Sequence, residues 1–130
     1  MTLPTDPLVT LPTDPAYLVG TGAAIGAVAR YLVATLVVRW QGSGPFPAGT
    51  LVVNVIGSFV LGLLVLGGAS EQAALLVGTG ACGAFTTYSS FSVQTVRLWE
   101  DGKGGLAVVN AVGNFVLSAA AVGLAWLLVG

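Results

Sequence analysis

Long apolar runs, interrupted by short polar or turn-forming segments, dominate the chain. A helix needs about 20 mostly apolar residues, rising ~1.5 Å each, to cross roughly 30 Å of hydrocarbon. The pattern predicts four such spans, over about 16–38, 48–67, 72–98 and 105–129. The first closes on Arg39 and Trp40, residues suited to the headgroup region. The Gly-Pro-Phe-Pro turn at 44–47 precedes the second, and the loop Glu100-Asp101-Gly102-Lys103 precedes the fourth. All six prolines lie outside the apolar runs, whereas most glycines lie inside them, as helices packed through small residues require. Residues 1–15 contain Thr-Leu-Pro-Thr-Asp-Pro twice, at 2–7 and 10–15, and no Lys or Arg. A signal peptide needs a positive start and an apolar stretch, so this segment reads as an exposed tail, too rich in Pro for a helix. Residues 16–130 then form one membrane domain, with loops too short to hold a soluble one.

Composition sharpens this picture. Apolar residues make up 55% of the chain and charged ones 7%, against roughly 45–50% and about 25% in ordinary globular domains. So few charges suit a lipid solvent, and the fold class expected is an all-α membrane protein. A net charge of −1 offers no electrostatic footing for nucleic acid. One Cys and no His exclude disulfide frameworks, zinc sites and imidazole-based catalysis, and no nucleophile–base pair for an enzyme is evident in the spans. Gly78-Thr-Gly80-Ala-Cys-Gly83 fits a dinucleotide fingerprint in letters only, because that motif belongs between a strand and a helix of a soluble βαβ unit. Arg39, Arg97 and Lys103 fall at loops one and three, which the positive-inside rule would put in the cytoplasm.

The chain also repeats itself. Leu18-Val-Gly-Thr-Gly-Ala23 recurs identically as Leu76-Val-Gly-Thr-Gly-Ala81. Residues 52–62 match residues 108–118 at seven of eleven positions, which aligns Asn54 with Asn110 and Ser58 with Asn114. Each half would be one helical hairpin. Residues four apart share a helix face, so Asn54 with Ser58, and Asn110 with Asn114, give spans two and four one polar face each.

Those amides, with Thr50, allow two readings: interhelical hydrogen bonding or a polar pathway. Span three favours the pathway. From Thr86 to Thr95 most side chains carry a hydroxyl or amide, which is too polar to face lipid. Gly83 and the β-branched Thr86-Thr87 suit a helix broken near its centre, whose freed carbonyls must find partners and could bind a cation. Tyr88 and Phe91 lie three apart on one face; their rings either pack or turn positive edges toward an anion. Arg30 is the only charge deep in an apolar run, and no acidic residue within the spans neutralises it. An intramembrane Arg normally faces protein or water, and an uncompensated one favours anions.

These residues resemble a known family. Gly22-Ala-Ala-Ile-Gly26-Ala-Val-Ala-Arg30-Tyr31, Gly49-Thr50-Leu-Val-Val-Asn54-Val-Ile-Gly57-Ser58-Phe59 and Cys82-Gly83-Ala-Phe-Thr86-Thr87-Tyr88-Ser89-Ser90-Phe91-Ser92 are similar to the signature segments of the Fluc (CrcB-type) fluoride channels. The resemblance covers nearly all of the chain after residue 16. It implies an antiparallel, dual-topology homodimer, multi-pass in the cell (inner) membrane, that passively exports cytoplasmic fluoride. It implies Asn54 as a pore-lining donor, Tyr88 and Phe91 as the aromatic positions, and Arg30 near the vestibule. Thr50 and Ser90, with Asn110, Asn114 and Ser118 on span four, complete the implied fluoride path. The carbonyls of Gly83 and Thr86 would hold a structural sodium ion at the dimer centre. Tyr88 stands where the family usually has Phe, and Ser90 where it usually has Thr. The rival expectation, a small dual-topology exporter that exchanges protons for cations or drugs, needs a membrane-embedded carboxylate that the spans lack.

Overall fold

The computed structural model describes residues 14–130, and the tail expected over 1–15 lies outside it except for its last two residues. Asp14 and Pro15 start a helix: Asp14 accepts a hydrogen bond from the Ala16 N–H at 2.9 Å, and Pro15 occupies the first turn, where a missing N–H costs nothing. That helix, α1, runs Pro15–Gln41. α2 runs Ala48–Leu66. α3 is one rod wound as α-helix over Glu71–Ala73, π-helix over Ala74–Cys82 and α-helix over Gly83–Phe85. After Thr86 and Thr87 the chain resumes as α4, Tyr88–Glu100, and ends in α5, Gly104–Val129. The described residues contain no strand. Each turn between helical hairpin arms passes through a glycine at positive φ, 81° at Gly42, 70° at Gly68 and 76° at Gly102, a conformation other residues adopt only with strain.

Three helices, α1, α2 and α5, are each long and apolar enough to cross a membrane. The third span is not a single crossing helix, because it is split at Thr86-Thr87 and α4 holds only 13 residues. The break has a local cause. Thr86 has ψ 161° and Thr87 has φ −148° and ψ 121°, both extended. The Thr87 hydroxyl accepts from the Ser90 N–H at 3.1 Å and so caps α4. The Thr86 hydroxyl donates to the Cys82 carbonyl at 2.9 Å, closing the end of α3.

The duplicated segments meet each other. In α1, Gly22 faces the Leu76 carbonyl of α3 and Gly26 the backbone of Ala81; a Cβ on Gly80 would lie 2.7 Å from the Val19 oxygen. α2 lies parallel to α5 in the same way, with Gly62 close to Ala125 and Asn54 bonded to Asn114. Small residues thus let backbones approach where water provides no hydrophobic drive between helices. The outside is the reverse of a soluble protein's: Ile25, Val28, Leu32 and Leu36 of α1, and Val108, Val112, Val116 and Leu127 of α5, are exposed, while Asn110, Asn114, Thr50 and Thr87 are buried. Such an apolar exterior needs a bilayer around it. One end of the bundle carries Arg39, Arg97 and Lys103; the starts of α1 and α3, with Asp14 and Glu71, lie at the other.

Candidate functional site

The helix break organises the polar residues. At Thr87 the N–H cannot reach back into α3, and Asn54 of α2 receives it: Thr87 N–H donates to Asn54 Oδ1 at 2.8 Å, and Asn54 Nδ2 donates to the Thr87 carbonyl at 3.2 Å. One amide thereby serves both backbone groups of an extended residue at membrane depth, where an unserved group costs several kcal/mol. Asn54 Nδ2 also donates to Asn114 Oδ1 at 2.9 Å. Arg30 reaches the same place from α1, with Nη1 donating to the Thr86 carbonyl at 3.4 Å.

Two concave spaces open on this junction, and Thr87 lines both. The larger, about 670 Å³, is lined by Asn54, Ser58, Gly83, Thr86, Tyr88, Phe91, Asn114, Phe115 and Ser118 among others. The Tyr88 and Phe91 rings stand 5.9 Å apart, tilted by 48°. The smaller, about 510 Å³, holds Arg30, Tyr31, Thr50, Ser90 and Gln94. The expected path residues therefore divide. Asn54, Tyr88, Phe91, Asn114 and Ser118 share the larger groove; Arg30, Thr50 and Ser90 share the smaller one. Asn110 lines neither and is 0% exposed.

Asn54 is not a loose donor in this arrangement, since both of its N–H protons have internal acceptors. The groove hydroxyls of Ser58, Ser118 and Tyr88 have no partner among the described residues, and Tyr88 is 81% exposed. The sequence marks Thr87 only as part of the helix break and gives Thr95 no place in the site. That Asn54 would bracket Thr87 depends on the packing of α2 against the break. Thr95 sits four residues after Phe91 and donates to its carbonyl at 2.7 Å, a helix-face relation readable from the sequence.

The carbonyls expected to hold a cation suit that task in one respect. The Thr87 N–H, which a continuous helix would return to the Gly83 carbonyl, is taken by Asn54, and the Ser90 N–H, due to the Thr86 carbonyl, is taken by the Thr87 hydroxyl. Two carbonyls are thus released at the groove, which both residues line. Hard cations gather several oxygens, so two from one chain fit such an ion only as part of a shared set. The Arg30 guanidinium already donates to one of them.

A profile of the CrcB-like protein family, Camphor Resistance (CrcB), matches residues 17–126. The chain is 56% identical over 111 residues to a Haloarcula marismortui protein called fluoride-specific ion channel FluC 2, covering 85% of this chain and 90% of that one. To fluoride-specific ion channel FluC 1 of Halobacterium salinarum it is 50% identical over 114 residues, covering 88% and 92%. To the Ruminiclostridium cellulolyticum FluC it is 44% identical over 99 residues, covering 72% and 75%. With a match running from residue 17 to 126 and relatives this similar along most of their length, the chain belongs to the CrcB-like family.

Proposed function

We propose that this protein is a fluoride-selective channel that lets fluoride leave the cytoplasm down its gradient, without an energy source. Proteins called fluoride-specific ion channels match it over most of their length. One observation carries the reading physically: the amides of Asn54 and Asn114, which line the groove together with Thr87, form a hydrogen-bonded seam at a helix break, while Asp14, Glu71, Glu100 and Asp101 stand only at helix ends and turns. Fluoride is small and strongly hydrated, so a pore has to replace its water with closely spaced donors. The free hydroxyls of Ser58, Ser118 and Tyr88 and the ring edges of Tyr88 and Phe91 supply such groups along the larger groove. Arg30, Thr50 and Ser90 supply them along the smaller one, where the guanidinium draws the anion in. Each site holds the ion well enough to admit it and weakly enough to release it.

The working unit in this reading is an antiparallel homodimer in the cell membrane. The larger groove is open on one side, with Tyr88 and Phe115 exposed, and a second copy would wall it. Such a pair needs copies inserted both ways, so the cations at one end must bias insertion only weakly. The Gly83 and Thr86 carbonyls of two chains would together hold a sodium ion at the centre. When bound, that ion supplies a fixed positive charge between the two breaks. A proton-coupled cation exporter is disfavoured because Glu71 stands exposed at the start of α3, away from the seam.

The test is fluoride efflux from liposomes holding the purified protein, followed with a fluoride electrode beside a chloride control. Rapid fluoride release with chloride retained is expected. Vesicles that keep their fluoride around folded protein would refute the reading.

A further inference from the structure

Polar side chains in the wall of the larger groove and behind it form one hydrogen-bonded chain whose direction is set by backbone groups. Asn54 meets Thr87 twice, accepting from its N–H at 2.8 Å and donating to its carbonyl at 3.2 Å. Turning that amide over would set donor against donor and acceptor against acceptor. Its Nδ2 therefore also faces Asn114, whose Oδ1 accepts at 2.9 Å. Asn114 in turn gives its Nδ2 protons to Asn110, to the backbone carbonyl at 2.8 Å and to Oδ1 at 3.0 Å. The backbone carbonyl alone fixes this orientation, because it can only accept. With Oδ1 so engaged, Asn110 Nδ2 donates to the Thr95 hydroxyl at 2.9 Å, and that hydroxyl donates to the Phe91 carbonyl at 2.7 Å. From Asn54 onward every link points one way, through Asn114, Asn110 and Thr95 to the turn of α4 that carries Phe91.

We infer that Asn110 is a positioning residue for the ion path, acting from behind the groove through Asn114 and Thr95. It is fully buried, so it is not itself in contact with a passing ion. Its Oδ1 is the second acceptor for the Asn114 amide, beside the Asn110 backbone carbonyl, so that neither Asn114 donor is left for the groove and Asn114 Oδ1 is held toward Asn54. Asn54 Nδ2 then waits with an internal acceptor that an arriving anion displaces, with no amide needing to turn. Its Nδ2 pins Thr95, and through it the turn bearing the Phe91 ring. This inference rests on the channel reading above and adds a residue role to it.

Two substitutions reach the chain of bonds from different ends. Asn110→Leu removes both side-chain links at similar volume; Thr95→Val removes one hydroxyl at the same shape. In liposomes, Asn110→Leu is expected to lower fluoride efflux about tenfold, within the free energy of the two side-chain hydrogen bonds it removes. It should also raise chloride leak relative to fluoride, which a loss of stability alone would not do. Thr95→Val is expected to lower efflux by a smaller factor. The double variant should lose no more than Asn110→Leu alone, because members of one network do not act independently. If Asn110→Leu does not fold, Asn110→Thr takes its place: its hydroxyl still accepts from Asn114 but is too short to reach Thr95, and it should match Thr95→Val without multiplying its loss. Wild-type efflux and selectivity in these variants, or losses that multiply, would overturn the inference while a conducting parent protein leaves the channel reading standing. A parent protein that does not conduct sinks both.

Discussion

The duplicated halves of this chain meet at two seams, and the seams are held by opposite means. Where α1 runs beside α3, identical hexapeptides face each other, and Gly22, Gly26 and Gly80 bring backbone against backbone. Where α2 runs beside α5, matching segments face each other through Asn54 and Asn114. The first seam tolerates no added size and asks nothing of side-chain chemistry. The second leaves room beside a groove of about 670 Å³ but demands a donor and an acceptor in fixed places. One hairpin design, used twice, yields a rigid scaffold on one side and a polar passage on the other.

Substitutions can break that contrast from either side. The largest effect is expected from Gly22→Leu, which drives a side chain into the Leu76 carbonyl and the Ala81 N–H. Backbone cannot yield as a flexible side chain does, so the cost exceeds the ~1–3 kcal/mol of ordinary overpacking; no folded protein should elute on gel filtration in detergent. Asn54→Asp should leave an assembled protein with no fluoride efflux. It deletes the donor to the Thr87 carbonyl and to Asn114 Oδ1 and sets a negative charge where an anion must pass. Efflux above that of empty vesicles would show that Asn54 is not on the path.

Smaller effects sharpen the comparison. Asn114→Leu strips Asn54 Nδ2 of one acceptor and Asn110 of its donor, and an orphaned buried partner costs about 1–3 kcal/mol. Efflux should fall roughly tenfold or more, with assembly retained. Ser118→Ala removes an unpartnered groove hydroxyl and should slow efflux only about two- to threefold, less than one hydrogen bond's ~1 kcal/mol. Gly20→Ala marks the floor. Nothing lies within 4 Å of its Cβ position, so thermal stability should hold or rise by at most ~1 kcal/mol from the better helix former, with efflux unchanged. Equal damage from Gly20→Ala and Gly22→Leu would mean that the α1–α3 contact is not the tight seam described.

Much of the architecture was legible because hydropathy is additive along a chain. Runs of apolar residues read as spans without knowledge of their neighbours, and Thr86-Thr87 stood out as a break because polar, β-branched residues are poor company for lipid. The grouping of the site was less legible. The repeat aligns Asn54 with Asn110, yet one sits at the helix break and the other is fully buried behind it. Periodicity reports which face of a helix a residue occupies, but not which helix that face meets, and the two asparagines meet different neighbours. Arg30 and Thr50 likewise fall in a separate groove from Tyr88 and Phe91, although all were expected on one path.

Composition and pattern alone determined that the chain lives in a bilayer, that its helices come as a duplicated hairpin, and that its interior is polar without being acidic. These properties follow from residue type and spacing, which burial in lipid rewards or penalises position by position. The tertiary structure alone decided that Asn54 completes the backbone of Thr87, that Asn114 offers oxygen and not nitrogen to it, and that Asn110 stands behind both. An amide has one end that donates and one that accepts, and only the atoms packed against it from other helices can say which way it must turn.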